Sequence, residues 1–174
     1  MKLNTRFLVI TAIILLAALT RLLPHIPNFT ALSAVALFGA AQYNKKLLAF
    51  LVPLTALVLS DAILGFYAGM EWVYGTFILI IISGFALRNK VTAPRVILLS
   101  IVSSLIMYVV SDFGMWIGSG IYPHTLTGFT ACYIAALPFL RNELLGDLFY
   151  SGLLFGTFYL AQIKFPTLLK ERVK

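Results

Sequence analysis

Charge is scarce in this chain, with Asp, Glu, Lys and Arg making up 11% of its 174 residues, where about 25% is usual for a soluble domain. Acids are scarcer than bases, six against thirteen. The only cysteine is Cys132, which excludes an internal disulfide and a multi-cysteine metal centre. Two histidines, His25 and His124, each beside a proline in a loop, offer little to a metal and no axial pair for a haem, so no metal or other cofactor is implied. The chain lacks a phosphate loop, a Ser-His-Asp elbow and a His-Glu-x-x-His run, so no catalytic set emerges and no enzyme is expected. The net charge of +7 has no basic stripe interleaved with aromatics, which argues against nucleic acid as a partner.

What the chain has in abundance is apolar sequence. A hydrophobic fraction of 61% identifies an integral membrane protein surrounded by lipid, and its length leaves room for one transmembrane domain over residues 1–174 and no soluble one. Apolar runs at residues 7–23, 29–43, 47–66, 72–87, 96–117 and 145–163 predict an all-α bundle of six transmembrane helices. The first run comes after Lys2 and Arg6, as a secretory signal would, but Ala17-Ala18-Leu19-Thr20 is a poor cleavage site. The second run, at 15 residues, would rise only about 22 Å.

Threading these runs in alternation gathers Lys2, Arg6, Lys45, Lys46, Arg88, Lys90, Arg95, Lys164, Lys170, Arg172 and Lys174 on one face, with Glu171. The other face holds Arg21 and Arg141 with Asp61, Glu71, Asp112, Glu143 and Asp147. Positive loops stay in the cytoplasm, so both termini are expected there, in a bacterial inner membrane, with the acidic face outward. Residues 126–140 are nearly as apolar as the second run, but a seventh crossing would put the basic C-terminal cluster outside. The expectation is therefore an external helix, re-entrant or interfacial, within the 27-residue connection 118–144 before the last span.

Three outer ends repeat one theme, an Asp beside a small residue with an aromatic about a turn away: Ser60-Asp61 with Phe66, Ser111-Asp112 with Trp116, and Gly146-Asp147 with Tyr150. Ionisable residues in apolar spans are costly and seek partners in the bundle interior. Asp61 and Asp112 could pair with Arg21 and Arg141, and Asp147 could sit at the N-terminus of the last helix, where the dipole favours an anion. Alternatively the carboxylates converge on an outward-facing cavity. The expected substrate-binding set is Arg21, Asn28, Asp61, Trp72, Asp112, Trp116, Tyr122 and Arg141, with mixed charges suited to a small polar or zwitterionic ligand stacked on an aromatic. Small residues four apart, at Ala36 with Ala40 and at Gly152 with Gly156, predict close helix packing.

With Pro27-Asn28-Phe29-Thr30 entering a short second span, and Val52-Pro53, Ser60-Asp61 and Gly65 along the third, the chain resembles the S component of energy-coupling-factor vitamin transporters. That is the membrane-embedded subunit which binds the substrate. It is similar also to an uncharacterised group of small six-helix bacterial membrane proteins, through residues 21–30, Leu140-Arg141-Asn142-Glu143 and Leu144-Leu145-Gly146-Asp147. The resemblance implies vitamin-type uptake, an outward pocket under outer loops, and docking on a transmembrane coupling subunit. Those S components resemble one another in an Ala-x-x-x-Ala element on the first helix. Here Leu16 stands four residues after Ala12 and Arg21 four after Ala17, so the alternative is a non-catalytic accessory subunit of another membrane complex.

Overall fold

The computed structural model describes residues 4–169; Lys2, Lys170, Glu171, Arg172 and Lys174 of the charge pattern lie outside them. Among the described residues all regular structure is helical. It comprises α1 (Thr5–Leu19), α2 (Leu32–Gln42), α3 (Lys46–Leu64), α4 (Met70–Gly84), α5 (Ala93–Gly118) and α6 (Leu126–Lys164), with 3-10 turns at Thr20–Leu22, Phe85–Leu87 and Pro166–Leu168. Five of these, counting α1 and α4 with the 3-10 turns that extend them, are long and apolar enough to cross a membrane, and α2 is shorter.

Contacts at the two ends show that successive helices alternate in direction. Arg6 at the start of α1 meets Gln42 at the end of α2. Lys46 at the start of α3 lies over Phe85 after α4, and Arg6 lies over Phe158 near the end of α6. At the opposite end Arg21 meets Asp61, Tyr74 meets Asp61, and Asn142 reaches Pro27. Seven of the nine described Lys and Arg gather at the Arg6 end, as the alternation of apolar runs predicts.

The short α2 lies inside the ring of longer helices, with every residue from Ser33 to Gln42 buried. Lipid tails are as apolar as leucine, so helices in a bilayer associate through close packing rather than through hydrophobic exclusion of water. Ala34, Ala36, Gly39, Ala40 and Ala41 make α2 narrow enough for that role. A Cβ on Gly39 would stand 2.7 Å from Pro53 on α3, and one on Gly84 of α4 would stand 2.7 Å from the Ala40 Cβ. An enclosed helix must still satisfy its last carbonyls. Arg6 donates to the Gln42 carbonyl and its side-chain oxygen, both at 2.9 Å. Arg88 donates to the carbonyls of Ala40, Tyr43 and Asn44. Two cations thus close the negative end of the α2 dipole.

The structure differs from expectation before the last span. No break separates residues 126–140 from the apolar run at 145–163; α6 is one helix of 39 residues, roughly 58 Å long. Thr125 caps it by accepting from the Gly128 N–H, and Pro138 lies inside it without ending it. The expected long connection shrinks to residues 119–125. The first half of α6 finds its burial against the C-terminal half of α5, so it needs no separate excursion: Tyr108 donates to the Tyr133 carbonyl at 2.8 Å and Tyr133 to the Val109 carbonyl at 2.6 Å.

α6 does not track α5 evenly. Cys132 lies against Asp112, but Asp147, fifteen residues on, meets Ser104, only eight residues back along α5. Between these contacts α6 leans toward the α1–α2 connection, where a Cβ on Gly146 would approach the Phe29 Cα at 3.1 Å. The Pro138 ring lies in this divergent stretch, and a proline removes an intrahelical hydrogen bond there.

Candidate functional site

The divergence of α5 and α6 leaves a cavity of about 290 Å³ at the end opposite the basic cluster, lined by Asn28, Asp112, Met115, Tyr122, Cys132 and Phe139, among others. Three of the expected site residues meet here. Asn28 is placed by the proline-broken connection and adopts φ 61, in the left-handed region that Asn tolerates better than most residues. Tyr122 comes from the α5–α6 turn, and Asp112 from the last two turns of α5. Among the described residues the Asp112 carboxylate makes no hydrogen bond and no ion pair. A half-buried anion without a partner calls for a donor or a cation.

The remaining expected residues do not join this cavity. Arg21 and Asp61 form an ion pair at 2.9 Å, with Asp61 1% exposed. Arg21 also donates to Ser60 Oγ at 2.5 Å, and the Tyr74 hydroxyl donates to Asp61 Oδ2 at 2.9 Å. The space beside Arg21 and Ser60 amounts to about 10 Å³, scarcely one water. Asp61 therefore pairs with Arg21 in a closed core, while Asp112 faces open space.

Trp72 and Trp116 belong to an aromatic cluster. The Trp72 ring packs on Gly114, where any Cβ would overlap it, and meets Phe113 edge-on. Trp116 donates from its indole N–H to the Pro123 carbonyl at 3.1 Å and packs against His124 and Phe129. These contacts pin the α5–α6 turn. Arg141 is exposed on the outer side of α6 beside Leu137, Leu140 and Leu145, and makes no ion pair among the described residues. Asp147 is not at a helix N-terminus, because α6 begins at Leu126; instead it is 2% exposed and accepts from Ser104 Oγ at 2.7 Å.

The polar set that sequence reasoning missed lies between α5 and α6. Ser100, Ser104, Tyr108 and Asp112 recur every four residues along α5, and Glu143, Asp147 and Ser151 do so along α6. Residues four apart share a helix face, and the two stripes meet at Ser104–Asp147 and at Ser100–Ser151, 2.8 Å apart. Glu143 is 8% exposed, lies within electrostatic reach of Asp112 and Asp147, and has no hydrogen bond among the described residues. The period of four was visible in the sequence; the partnering of the stripes was not.

No curated protein and no solved structure matches the chain. Over residues 1–168 it matches DUF6580, a family of unknown function, and the chain belongs to that family.

Proposed function

We propose that this is a six-span bacterial inner-membrane protein, cytoplasmic at both ends, that binds a small molecule in an outward-facing cavity as part of an uptake system. The charge segregation between the two ends of the bundle supports the orientation. The number of passes is six if α2, short as it is, counts as a crossing within the ring of longer helices.

The observation that carries the binding reading is the unpartnered Asp112 carboxylate in the cavity with Asn28 and Tyr122. Arg21 is engaged by Asp61 and Arg141 lines a different surface, so among the described residues the cavity has an anion and no cation. That favours a ligand with an ammonium or a protonated ring nitrogen over a zwitterion, its apolar body against Met115 and Phe139. Such a ligand fits vitamin-type uptake in the manner of an S component.

Native mass spectrometry of gently extracted protein tests this. A small molecule retained by wild type and lost from a folded Asp112→Asn variant is expected. Equal retention by both removes the cavity from consideration. Stoichiometric membrane proteins in place of any small molecule would favour the accessory-subunit reading.

A further inference from the structure

The facing polar stripes of α5 and α6 do more than hold two helices together, because they join two open spaces at opposite ends of the bundle. At the outer end is the cavity with Asp112. At the basic end α5 and α6 part again, around a groove of about 540 Å³ lined by Val91, Thr92, Ser100, Ser151, Gly152 and Gly156, among others. Ser100 and Ser151 are the inner end of the polar seam and part of the groove wall at once. Val91 and Thr92 belong to the α4–α5 connection, which carries the groove to the surface beside Lys90. Oxygen-bearing side chains, Asp112, Glu143, Asp147, Ser104, Ser100 and Ser151, thus recur along the seam between the two spaces, in direct contact at Ser104–Asp147 and Ser100–Ser151.

Ordinary helix-to-helix hydrogen bonding does not account for all of it. Glu143 is more than nine-tenths buried with no hydrogen bond among the described residues. The Ser33 hydroxyl on α2, 1% exposed, stands beside the Asp147 carboxylate without a well-formed hydrogen bond. Polar groups in the interior that lack a full set of protein hydrogen bonds mark places for water. Intramembrane carboxylates that face the bundle interior mark substrate and ion pathways and proton relays.

We propose that the α5–α6 seam is a proton relay between the outer cavity and the inner groove. A proton enters at Asp112 and passes to Glu143, Asp147 and then the serine hydroxyls; at each transfer one O–H bond breaks as another forms on the accepting oxygen. Neighbours on one stripe stand about 6 Å apart along the axis, so a water bridges the gaps that the direct Ser104–Asp147 and Ser100–Ser151 hydrogen bonds leave open, and is regenerated as the proton moves on. Other titratable groups beside the seam and its two spaces are Tyr108, Cys132 and Tyr133 from α5 and α6, Tyr122 from the turn and Tyr159 at the inner groove. Tyr108 and Tyr133 each donate to a backbone carbonyl, and Cys132 Sγ donates to the Asp112 carbonyl at 3.6 Å, so they border the path without completing it. α2 contributes only the neutral Ser33. Among the described residues no cation from Lys or Arg enters the seam; Arg21 is held by Asp61.

The relay shares Asp112 with the proposed ligand site, but flux is read with no ligand present, so the two readings fail separately. Purified full-length protein is reconstituted in neutral phospholipid vesicles containing a fluorescent pH indicator, and a valinomycin-set potassium potential drives protons inward. The expected result is faster luminal acidification than in protein-free vesicles. It should fall to the protein-free rate in Asp147→Asn and Glu143→Gln, and persist in Glu71→Gln, whose carboxylate lies outside the seam. Ser151→Ala, a smaller change, should slow it as well. Dicyclohexylcarbodiimide, which attacks protonated carboxyl groups in apolar surroundings, needs no variant: it should add to Glu143 or Asp147, located by peptide mass, and stop the flux. Wild-type flux no greater than that of empty vesicles overturns the relay. So does full flux in folded Glu143→Gln, or after stoichiometric carbodiimide addition.

Discussion

Arg21 and Asp61 meet at 2.9 Å across α1 and α3, and Asp61 is sealed from solvent while Asp112, on the same end of the bundle, faces a cavity. Two carboxylates with similar sequence surroundings, each after a serine near the C-terminal end of its helix, thus have opposite environments.

Removing one partner of the sealed pair should be expensive. Asp61→Asn leaves the Arg21 guanidinium in a space of about 10 Å³, and the expected loss is about 3–5 kcal/mol. Joint replacement by Arg21→Met and Asp61→Leu should cost less than either single change, because no charge is stranded. Thermal unfolding in detergent checks this; a double variant as unstable as the sum of the singles would contradict it.

Asp112→Asn should behave differently. With no partner to lose among the described residues, its stability should stay within about 1 kcal/mol of wild type. Parallel melting curves of the two Asp→Asn variants make the comparison directly.

The glycines separate packed from open helix faces. Gly84→Ala places a Cβ 2.7 Å from the Ala40 Cβ and 3.2 Å from the Leu37 Cα. Backbone cannot yield easily, so a loss of about 1–3 kcal/mol is expected. Gly156→Ala meets nothing within 4 Å, and the helix gains up to about 1 kcal/mol in propensity. Unfolding midpoints that fall equally in both variants would show that Gly156 is packed.

Tyr67, in the α3–α4 connection, reports on the ion pair. Burial pushes its phenol above the ordinary tyrosine range, the Asp61 carboxylate adds to that, and Arg21 opposes it. The fold therefore favours the neutral phenol, a preference fully present at neutral pH and lost only as the pH rises through the elevated value. In Asp61→Asn the opposing cation remains and the anion is gone, so Tyr67 should ionise at lower pH than in wild type. The difference in tyrosinate absorbance between each protein and its Tyr67→Phe counterpart isolates this residue.

The orientation is open to labelling. On a Cys132→Ser background, a cysteine at Lys90 should react with an impermeant maleimide only from the cytoplasmic side, and one at Ile121 only from outside. The reverse pattern would invert the proposal.

Composition and the spacing of apolar runs determined that the chain is a helical bundle with its basic residues at one end, because each long helix must satisfy its own backbone in lipid and the loops between carry the charges. The same reading placed Asn28, Asp112 and Tyr122 near one end, where they do share a cavity. It split α6 in two, since charge counting constrains how many times a chain crosses but not where a helix stops, and residues 126–140 are apolar enough to continue once α5 covers them. Pairing was equally out of reach: Asp61 and Asp112 look alike along the chain, and only the approach of α1 to α3 gives Arg21 to the first. Arg6 and Arg88 read as loop charges until the enclosed end of α2 showed which carbonyls they satisfy. Local periodicity tells which residues share a face. Which faces meet is decided by the packing of the whole bundle, where small residues allow approach and buried polar groups must find one another.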